Sequence, residues 1–219
     1  MRPEPSTHAL LRIAHAEAWV TAGTVAPAAL APWARTALAR APWVVVRRAR
    51  SRDGLIPVGV RGHDRAERLA AWLHPDAVLE CLTPQELAAR SGWRSARRRA
   101  QVPALAALEA VAALMRHHEL RWGPCGSVGF ELASGVATAS ENSDLDLVVE
   151  AHAALPRATA VALAAALAQL PVRADVLLEG PHGAVALEEY AARRAPLMLR
   201  TLDGPRIAHH PWAGPAAAA

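Results

Sequence analysis

The sequence GSVGFELASGVATASENSDLDL, residues 126–147, predicts most of the architecture of the second half of the chain. It opens on Gly126-Ser127, continues with a short helical pattern, and closes on two aspartates at the start of an alternating apolar segment typical of a strand. Residues two apart on a strand point to the same face, so we expect Asp144 and Asp146 to present their carboxylates together.

The paired carboxylates predict a metal site. Mg²⁺ takes hard oxygen ligands and is commonly held by one or two carboxylates plus substrate phosphates. We therefore expect Asp144 and Asp146 to ligate Mg²⁺, with Mn²⁺ as the alternative ion. Asp175 lies inside a later apolar segment, where a carboxylate is costly to bury unless it is paired or metal-bound. It is the predicted third carboxylate.

Gly126-Ser127 lies between a strand pattern and a helix pattern. Glycine allows the backbone to approach a triphosphate, and amide hydrogens at a helix N-terminus attract it. We therefore expect Gly126 and Ser127 to bind phosphate, with the Ser127 hydroxyl contributing. Either motif alone commonly marks an ordinary turn or a solvated strand edge. The order strand, Gly-Ser, helix, Asp-x-Asp strand, helix and Asp-bearing strand is far more specific.

The composition narrows the class of protein. Of 219 residues 53% are hydrophobic, but many of these are alanine, and no apolar run approaches the length of about 20 residues that spans a bilayer. Cys81 and Cys125 are far apart and lack zinc-like spacing, and the first residues carry no secretory pattern, so we expect a cytoplasmic protein. The net charge of +4 suits a phosphate-bearing ligand or an acidic partner.

The chain is predicted to be an α/β protein of the α+β type with its substrate in a cleft between two domains. We expect a small N-terminal α+β domain at 1–85, a basic linker region at 86–102 and a nucleotidyltransferase-like mixed-sheet domain at 103–219. In the first domain the patterns predict helices over 10–19, 27–39 and 65–72 and a hairpin of strands 43–46 and 55–60. Pro57 predicts an edge position for the second of these strands.

In the second half, the Thr83-Pro84 pair predicts a helix start, and Pro103 opens an alanine-rich helix. The remaining predicted elements are helices over 103–117, 129–133, 156–170 and 185–194, strands over 121–122, 144–150 and 172–179, and a terminal hairpin of 197–200 with 206–208.

This order resembles the nucleotidyltransferase superfamily of DNA polymerase beta type, whose pattern is Gly-Ser, then Asp-x-Asp, then a later Asp. Sixteen residues separate Ser127 from Asp144, which is more than is usual in that superfamily. The sequence around the motifs is similar to that of one family, the phosphoribosyl-dephospho-CoA transferases of malonate decarboxylase. These enzymes are also called holo-acyl-carrier-protein synthases. The similar segments are 122–127, 132–135, 143–147, 199–201, 204–206 and 211–212, with weaker ones at 42–45 and 54–62.

The resemblance implies a reaction and its participants. The donor would be 2'-(5''-triphosphoribosyl)-3'-dephospho-CoA, and a serine of the apo acyl-carrier subunit of malonate decarboxylase would attack its α-phosphate and expel pyrophosphate. Asp175 would then ligate a second metal or act as base, Gly126 and Ser127 would hold the pyrophosphate, and Arg200 would bind the triphosphate. His8-Ala9 departs from the His-Asp expected there.

Two alternatives are open at this point. The chain could be a nucleotidyltransferase that uses ATP or CTP on a small molecule. It could also be a catalytically degenerate scaffold that binds nucleic acid through the basic run from Arg94 to Arg99, although no recognition motif accompanies that run. A solvated linker, or a contact with an acidic carrier protein, would explain the same arginines.

Overall fold

The computed structural model describes residues 4–14, 30–62, 66–192 and 196–213. The chain forms an α+β fold in two domains, each built on its own β-sheet, as the sequence predicts. The N-terminal sheet is antiparallel with strand order β4-β3-β2-β1-β5. Its elements are β1 (Leu10–Ile13), α1 (Pro32–Arg40), β2 (Trp43–Val46), β3 (Ile56–Arg61), β4 (Arg68–Leu73) and β5 (Val78–Leu82).

Both faces of the N-terminal sheet are covered. Along β2, Val44 and Val46 point into the N-terminal core beneath α1, whereas Trp43 points the other way into a second apolar cluster. That second cluster contains Leu87 and is packed against Phe130, both from the C-terminal half. Successive apolar residues of β2 therefore pack into two different clusters, one within the N-terminal domain and one against the C-terminal half, because strand side chains alternate between faces.

Double-sided burial explains one wrong prediction. Residues 10–13 form strand β1 rather than the start of a helix over 10–19. Leu10 faces the interdomain cluster and Leu11 the N-terminal core, so two consecutive leucines are buried on opposite faces. They obscure the alternation of the next residues, in which Arg12 is exposed and Ile13 is buried. Residues 15–19 of that prediction lie outside the described residues, as do 27–29 of the helix predicted over 27–39, whose described part is α1.

The helix predicted over 65–72 is also wrong. Residues 68–73 form strand β4, which pairs with β3 along its whole length. The alanines of this segment favour a helix, but pairing with a neighbouring strand overrides such weak preferences. Residue 65 lies outside the described ranges.

The hairpin of β2 and β3 is confirmed, but the edge position of Pro57 is wrong, since β3 lies between β4 and β2. The Pro57 carbonyl accepts a hydrogen bond from the Arg47 amide at 2.9 Å. Arg47 lies just beyond the end of β2. Because proline has no N–H, the sheet lacks only the hydrogen bond that residue 57 would donate back to Arg47 at the end of the strand pair.

The C-terminal sheet has six strands in the order β11-β10-β9-β8-β7-β6. Strands β7 and β8 pair in parallel, joined by a crossover through α5, and the other neighbours are antiparallel. The elements are α2 (Pro84–Arg90), α3 (Pro103–His117), β6 (Trp122–Pro124), α4 (Gly126–Ser134), β7 (Leu145–Glu150), α5 (Arg157–Leu167), β8 (Ala174–Gly180), β9 (Gly183–Ala186), α6 (Leu187–Ala191), β10 (Leu197–Thr201) and β11 (Gly204–Ala208).

Most predicted elements of this half are confirmed, including α3 and the terminal hairpin. The helix predicted over 185–194 begins only at Leu187, after strand β9, and residues 193–194 lie outside the described part. The range 86–102, expected as a basic linker, starts inside α2 and contains Trp93, which is buried in the C-terminal core. None of the helices in the described ranges has the length and apolar character needed to cross a bilayer.

Candidate active site

A cleft of about 1090 Å³ lies between the two domains. Its C-terminal wall includes Ser127, Asp144 and Asp146, three of the residues that the sequence singles out. Asp146 is the second residue of β7, and Asp144 lies immediately before that strand. The structure therefore brings the carboxylate pair and the serine of the Gly-Ser motif into one open cavity of a size suited to a ligand.

The pairing of β6 with β7 places the Gly-Ser motif beside the aspartates. Pro124 is opposite Leu147, and the Cys125 amide donates to the Asp146 carbonyl at 2.9 Å. Helix α4 then starts at Gly126, earlier than the predicted start at 129, so the motif forms the first turn of the helix rather than a loop before it.

Gly126 has a left-handed backbone with φ of +59°, a region in which side chains other than glycine are strained. A Cβ built on it would lie 1.9 Å from Oδ2 of Asp146. The glycine is thus required twice, once for the turn from β6 into α4 and once for the close approach of the Asp146 carboxylate.

The N-terminus of α4 is open towards ligands. No side chain among the described residues caps it with a hydrogen bond, so its first amide groups are not satisfied in that way. Ser127 follows in the first turn and is 6% exposed. A helix N-terminus with free amide hydrogens attracts phosphate, which agrees with the phosphate role predicted for Gly126 and Ser127.

The long segment between the motifs is held by a buried carboxylate that sequence reasoning missed. Glu131 of α4 is 9% exposed, and its Oε2 accepts hydrogen bonds of 2.9 Å from the amides of Thr138 and Ala139. Arg98 donates to the same oxygen at 2.8 Å and to the Ala139 carbonyl at 2.9 Å. The sequence feature that could have indicated this role is the single acidic residue, Glu131, in a largely apolar helix.

These contacts shape the floor of the cleft. The Thr138 hydroxyl also donates to the Ser127 carbonyl at 2.9 Å, which ties the segment to the first turn of α4. Farther along, the Ser140 amide donates to the Ser143 hydroxyl at 2.9 Å, one residue before Asp144. Much of the segment between Ser127 and Asp144 therefore forms a structured part of the cleft lining, mainly residues 136–143.

Asp175 lies on β8 directly opposite Asp146 in the parallel pair, so the two side chains point to the same face of the sheet. Its Oδ1 accepts a 2.8 Å hydrogen bond from Arg173, and it lies outside the lining of the cleft. In the described part of the chain no three His, Cys, Asp or Glu side chains are gathered as a metal-ligand set. The geometry therefore offers two cleft carboxylates with a third on the next strand.

This donor set suits Mg²⁺ when substrate phosphates complete its coordination. Mg²⁺ retains waters and needs only one or two protein carboxylates beside phosphate oxygens. Asp144 and Asp146 supply hard oxygens in a cleft large enough for a phosphate ligand, and the missing Cβ of Gly126 leaves the Asp146 carboxylate its space.

Arg200 lies elsewhere. It pairs with Ala184 between β10 and β9, its side chain is exposed, and it does not line the cleft. The positive charge of Arg200 instead helps to lower the pKa of His8. The His8 ring lies 3.7 Å from Glu179 Oε1. Arg48 forms a two-bond ion pair with the same Glu179 carboxylate. This cluster therefore connects the two domains outside the cleft.

The His8 ring is neutral near pH 7. Its burial lowers the pKa to about 4, against the opposing effect of Glu179, and the nearby arginines add to the lowering. His8 also has a left-handed φ of +68°, which is uncommon for a residue other than glycine. The position at which the sequence departs from its expected His-Asp therefore takes part in the interdomain contact.

Cys125 is adjacent to the site, and its side chain is buried. Burial raises the pKa of its thiol, and the carboxylates of Asp146 and Glu179 raise it further. Because the thiolate is the reactive form of cysteine, a thiol that stays protonated does not support covalent catalysis. The site therefore favours direct transfer over a cysteinyl intermediate.

The basic run does not form a free patch. Arg94 makes a two-bond ion pair with Glu109, at 2.9 Å for each bond, and Arg98 is bound to Glu131. Trp93 is buried, with its indole N–H donating to Glu109 at 3.2 Å. Half of the arginines expected to contact nucleic acid are thus used within the C-terminal domain.

The opposite wall of the cleft is basic and was not predicted. It belongs to the N-terminal domain and includes Arg40, Arg61 and Arg68, with the carboxylate of Glu67 among them. Arg40 is at the end of α1 and donates to the Ala137 carbonyl at 3.3 Å across the cleft. These arginines are scattered along the sequence, so no motif marks them; only the folding of α1, β3 and β4 brings them together.

Two family models match the chain. The phosphoribosyl-dephospho-CoA transferase MdcG N-terminal domain matches residues 6–84, and the corresponding C-terminal domain matches residues 86–211. The two matches adjoin at the start of α2, and the cleft carboxylates lie in the second.

Several proteins named phosphoribosyl-dephospho-CoA transferase are similar over most of their length. The one from Azotobacter vinelandii is 43% identical over 84% of this chain and 87% of its own. The one from Pseudomonas putida is 40% identical over 83% and 85%, and the one from Klebsiella pneumoniae is 35% identical over 90% and 95%. No solved structure matches the chain. With both domain models matched in order and relatives at this level of identity, the chain belongs to the phosphoribosyl-dephospho-CoA transferase MdcG family, a family of transferases.

Proposed function

We propose that this chain transfers the 2'-(5''-phosphoribosyl)-3'-dephospho-CoA group from its triphosphoribosyl precursor to a serine of the apo acyl-carrier subunit of malonate decarboxylase, with release of pyrophosphate. The observation that supports it most is the meeting of Asp144, Asp146 and Ser127 in one cleft at the start of α4. Family membership supplies the choice of donor and acceptor.

The step is a displacement at the α-phosphorus. The serine oxygen forms a bond to phosphorus, the bond from phosphorus to the bridging oxygen of the β-phosphate breaks, and pyrophosphate leaves with that electron pair. The serine proton passes to a base. Reactions of this kind depend mainly on positioning and charge stabilisation, so the site needs no covalent protein intermediate.

The roles of the residues follow from their positions. Asp144 and Asp146 would hold Mg²⁺, or Mn²⁺ in its place. When bound, the ion would neutralise charge on the phosphates and polarise the reacting phosphorus. The first turn of α4, with Gly126 and Ser127, would hold the pyrophosphate leaving group. Asp175, beside Asp146 on the next strand, would ligate a second ion or accept the serine proton.

The protein partner and the compartment are part of the proposal. The acceptor serine must reach the cleft from outside, and an opening between two domains leaves room for a protein acceptor. Cys81 and Cys125 are both free thiols, which agrees with the reducing conditions of the cytoplasm.

A direct assay tests the function. The full chain is incubated with the triphosphoribosyl donor, Mg²⁺ and the apo carrier, and the carrier is followed by intact mass spectrometry while pyrophosphate is measured. We expect the carrier to gain one phosphoribosyl-dephospho-CoA group with one pyrophosphate released. An unmodified carrier would refute the proposal, and parallel reactions with ATP or CTP and small acceptors would then test for a generic nucleotidyltransferase.

A further inference from the structure

The walls of the interdomain cleft differ in net charge. The C-terminal wall has Asp144 and Asp146 together with Arg98, whose charge is paired with Glu131. The N-terminal wall has three arginines and the carboxylate of Glu67; the arginines are Arg40, Arg61 and Arg68. The carboxylates are suited to a cation, but three guanidinium groups on the facing wall are not. A ligand that fits both walls must be an anion able to carry a divalent ion, and polyphosphate is the simplest such group.

Two of the arginines lie side by side on the sheet. Arg61 and Arg68 are directly opposite each other in the antiparallel pair of β3 and β4, and both line the cleft. Glu67 lines the cleft next to Arg68, so these two strands present two guanidinium groups and one carboxylate there. This part of the wall is therefore net positive.

The third arginine adds to the pair from another element. Arg40 is the last residue of α1 and reaches across to the carbonyl of Ala137, in the segment that Glu131 and Arg98 hold in place. Guanidinium groups bind phosphate through paired hydrogen bonds in a fixed plane, which makes arginine more selective for phosphate than a lysine would be.

We propose that Arg40, Arg61 and Arg68 form a subsite for the terminal phosphates of the donor's triphosphate group. This rests on the proposed function. The α-phosphate would lie against the aspartates, and the leaving pyrophosphate would be held between the first turn of α4 and the three arginines of the N-terminal domain. The active site is then incomplete without residues 6–84, and the charge that develops on the leaving group is stabilised from the facing wall.

Direct binding of inorganic triphosphate tests the subsite without requiring catalysis. Titration calorimetry with Mg²⁺ present would compare the wild type with Arg61→Gln, Arg68→Gln and Arg40→Gln. We expect each variant to bind triphosphate about tenfold or more weakly, because each loses charge-assisted hydrogen bonds. Binding of dephospho-CoA, which lacks the triphosphate, should be unchanged.

Arg35→Gln is the matched control. Arg35 is an exposed residue of α1, on the same helix as Arg40 but outside the cleft, so it removes the same charge without touching the subsite. Thermal unfolding of every variant checks the fold, and Arg68→Lys, which keeps the charge but not the planar fork, should recover only part of the affinity.

The outcomes separate the subsite from the function. Wild-type triphosphate affinity in all three cleft variants would overturn the subsite even if the carrier is modified normally. Weakened binding of dephospho-CoA or of the carrier, with triphosphate binding intact, would overturn it as well. Loss of triphosphate binding in the three variants but not in Arg35→Gln supports the subsite, and it would do so even if the wild type fails to modify the carrier.

Discussion

The Asp146 carboxylate lies against Gly126 so closely that a Cβ on Gly126 would be 1.9 Å from Asp146 Oδ2 and 2.7 Å from its Cγ. The contact joins the first turn of α4, which is suited to phosphate, to the strand that carries the predicted metal ligand. The relative position of the predicted phosphate and metal sites therefore depends on the pairing of β6 with β7, and a side chain at position 126 would displace the carboxylate.

Gly126→Ala should abolish transfer. The alanine would force the Asp146 carboxylate to rotate away, and its left-handed backbone would cost about 1 to 2 kcal/mol of folding stability. Carrier modification measured by mass spectrometry, together with denaturant unfolding, separates the two effects.

Gly135→Ala is the control for that experiment. Gly135 ends the same helix with φ of +72°, and a Cβ there would meet nothing within 4 Å. We expect a similar loss of stability with transfer retained. If both variants lose transfer to the same extent, the effect comes from helix α4 as a whole and not from the contact with Asp146.

Asp144→Asn and Asp146→Asn should each lower the rate of transfer by more than about a hundredfold. Even the loss of a group that only hydrogen-bonds to a metal ligand lowers metal affinity or activity by about 10- to 100-fold. The fold should survive, because both side chains line an open cleft. Single-turnover modification of the carrier at several Mg²⁺ concentrations is the measurement. Asp53→Asn, an exposed turn residue with a left-handed φ that asparagine tolerates, is the matched control. Near-normal turnover in either cleft variant would show that the carboxylates do not bind the metal.

Glu131→Ala should destabilise the protein by about 3 to 5 kcal/mol, because it leaves the partly buried Arg98 without its carboxylate and removes two amide hydrogen bonds. We expect amide hydrogen exchange at Thr138 and Ala139 to accelerate more than exchange in α3. A uniform acceleration throughout the domain would indicate global unfolding and would contradict a local role in holding the cleft wall.

The exposed pair of Arg94 and Glu109 provides the comparison for Glu131. Both side chains are well exposed, and without Arg94 the Glu109 carboxylate still accepts the Trp93 indole N–H, so Arg94→Ala should change stability little and leave exchange at Thr138 as in the wild type. A loss of stability as large as that of Glu131→Ala would mean that burial is not what makes the Glu131 pair important.

The lowered pKa of His8 predicts that the free energy of unfolding falls as the pH is lowered. Its folded pKa of about 4 lies below the unfolded value of 6.5, so the unfolded chain binds the proton first as pH falls. The contribution of His8 is intact above pH 6.5 and is lost progressively down to about pH 4, by up to about 3 kcal/mol for this side chain that is 25% exposed. Glu179, Arg48 and Arg200 supply the surrounding charge.

His8→Asn isolates that contribution, because asparagine accepts the left-handed backbone without titrating. Denaturant unfolding at pH 7, 5.5 and 4.5 should show a smaller fall in stability for the variant than for the wild type. Parallel curves for the two proteins would mean that His8 is not the titrating group.

Local patterns in the sequence predicted the elements whose signals are local. The capping box of Thr83 and Glu86 starts α2, Pro103 starts α3, and the turn at Asp203-Gly204 forms the terminal hairpin. The sequence predicts helices where β1 and β4 lie, because β1 begins with two leucines buried on opposite faces and β4 is alanine-rich. Both segments become strands only by pairing with their neighbours.

By itself the sequence determined the chemistry of one wall, since Gly126-Ser127 and the two aspartates are close enough in the chain for β6, α4 and β7 to bring them together. The facing wall depends on tertiary structure. Arg40, Arg61 and Arg68 come from three separate elements, and Glu131 meets Arg98 only when α4 packs on the C-terminal core. Contacts between residues far apart in sequence are set by the packing of whole sheets and helices, and no local spacing records them.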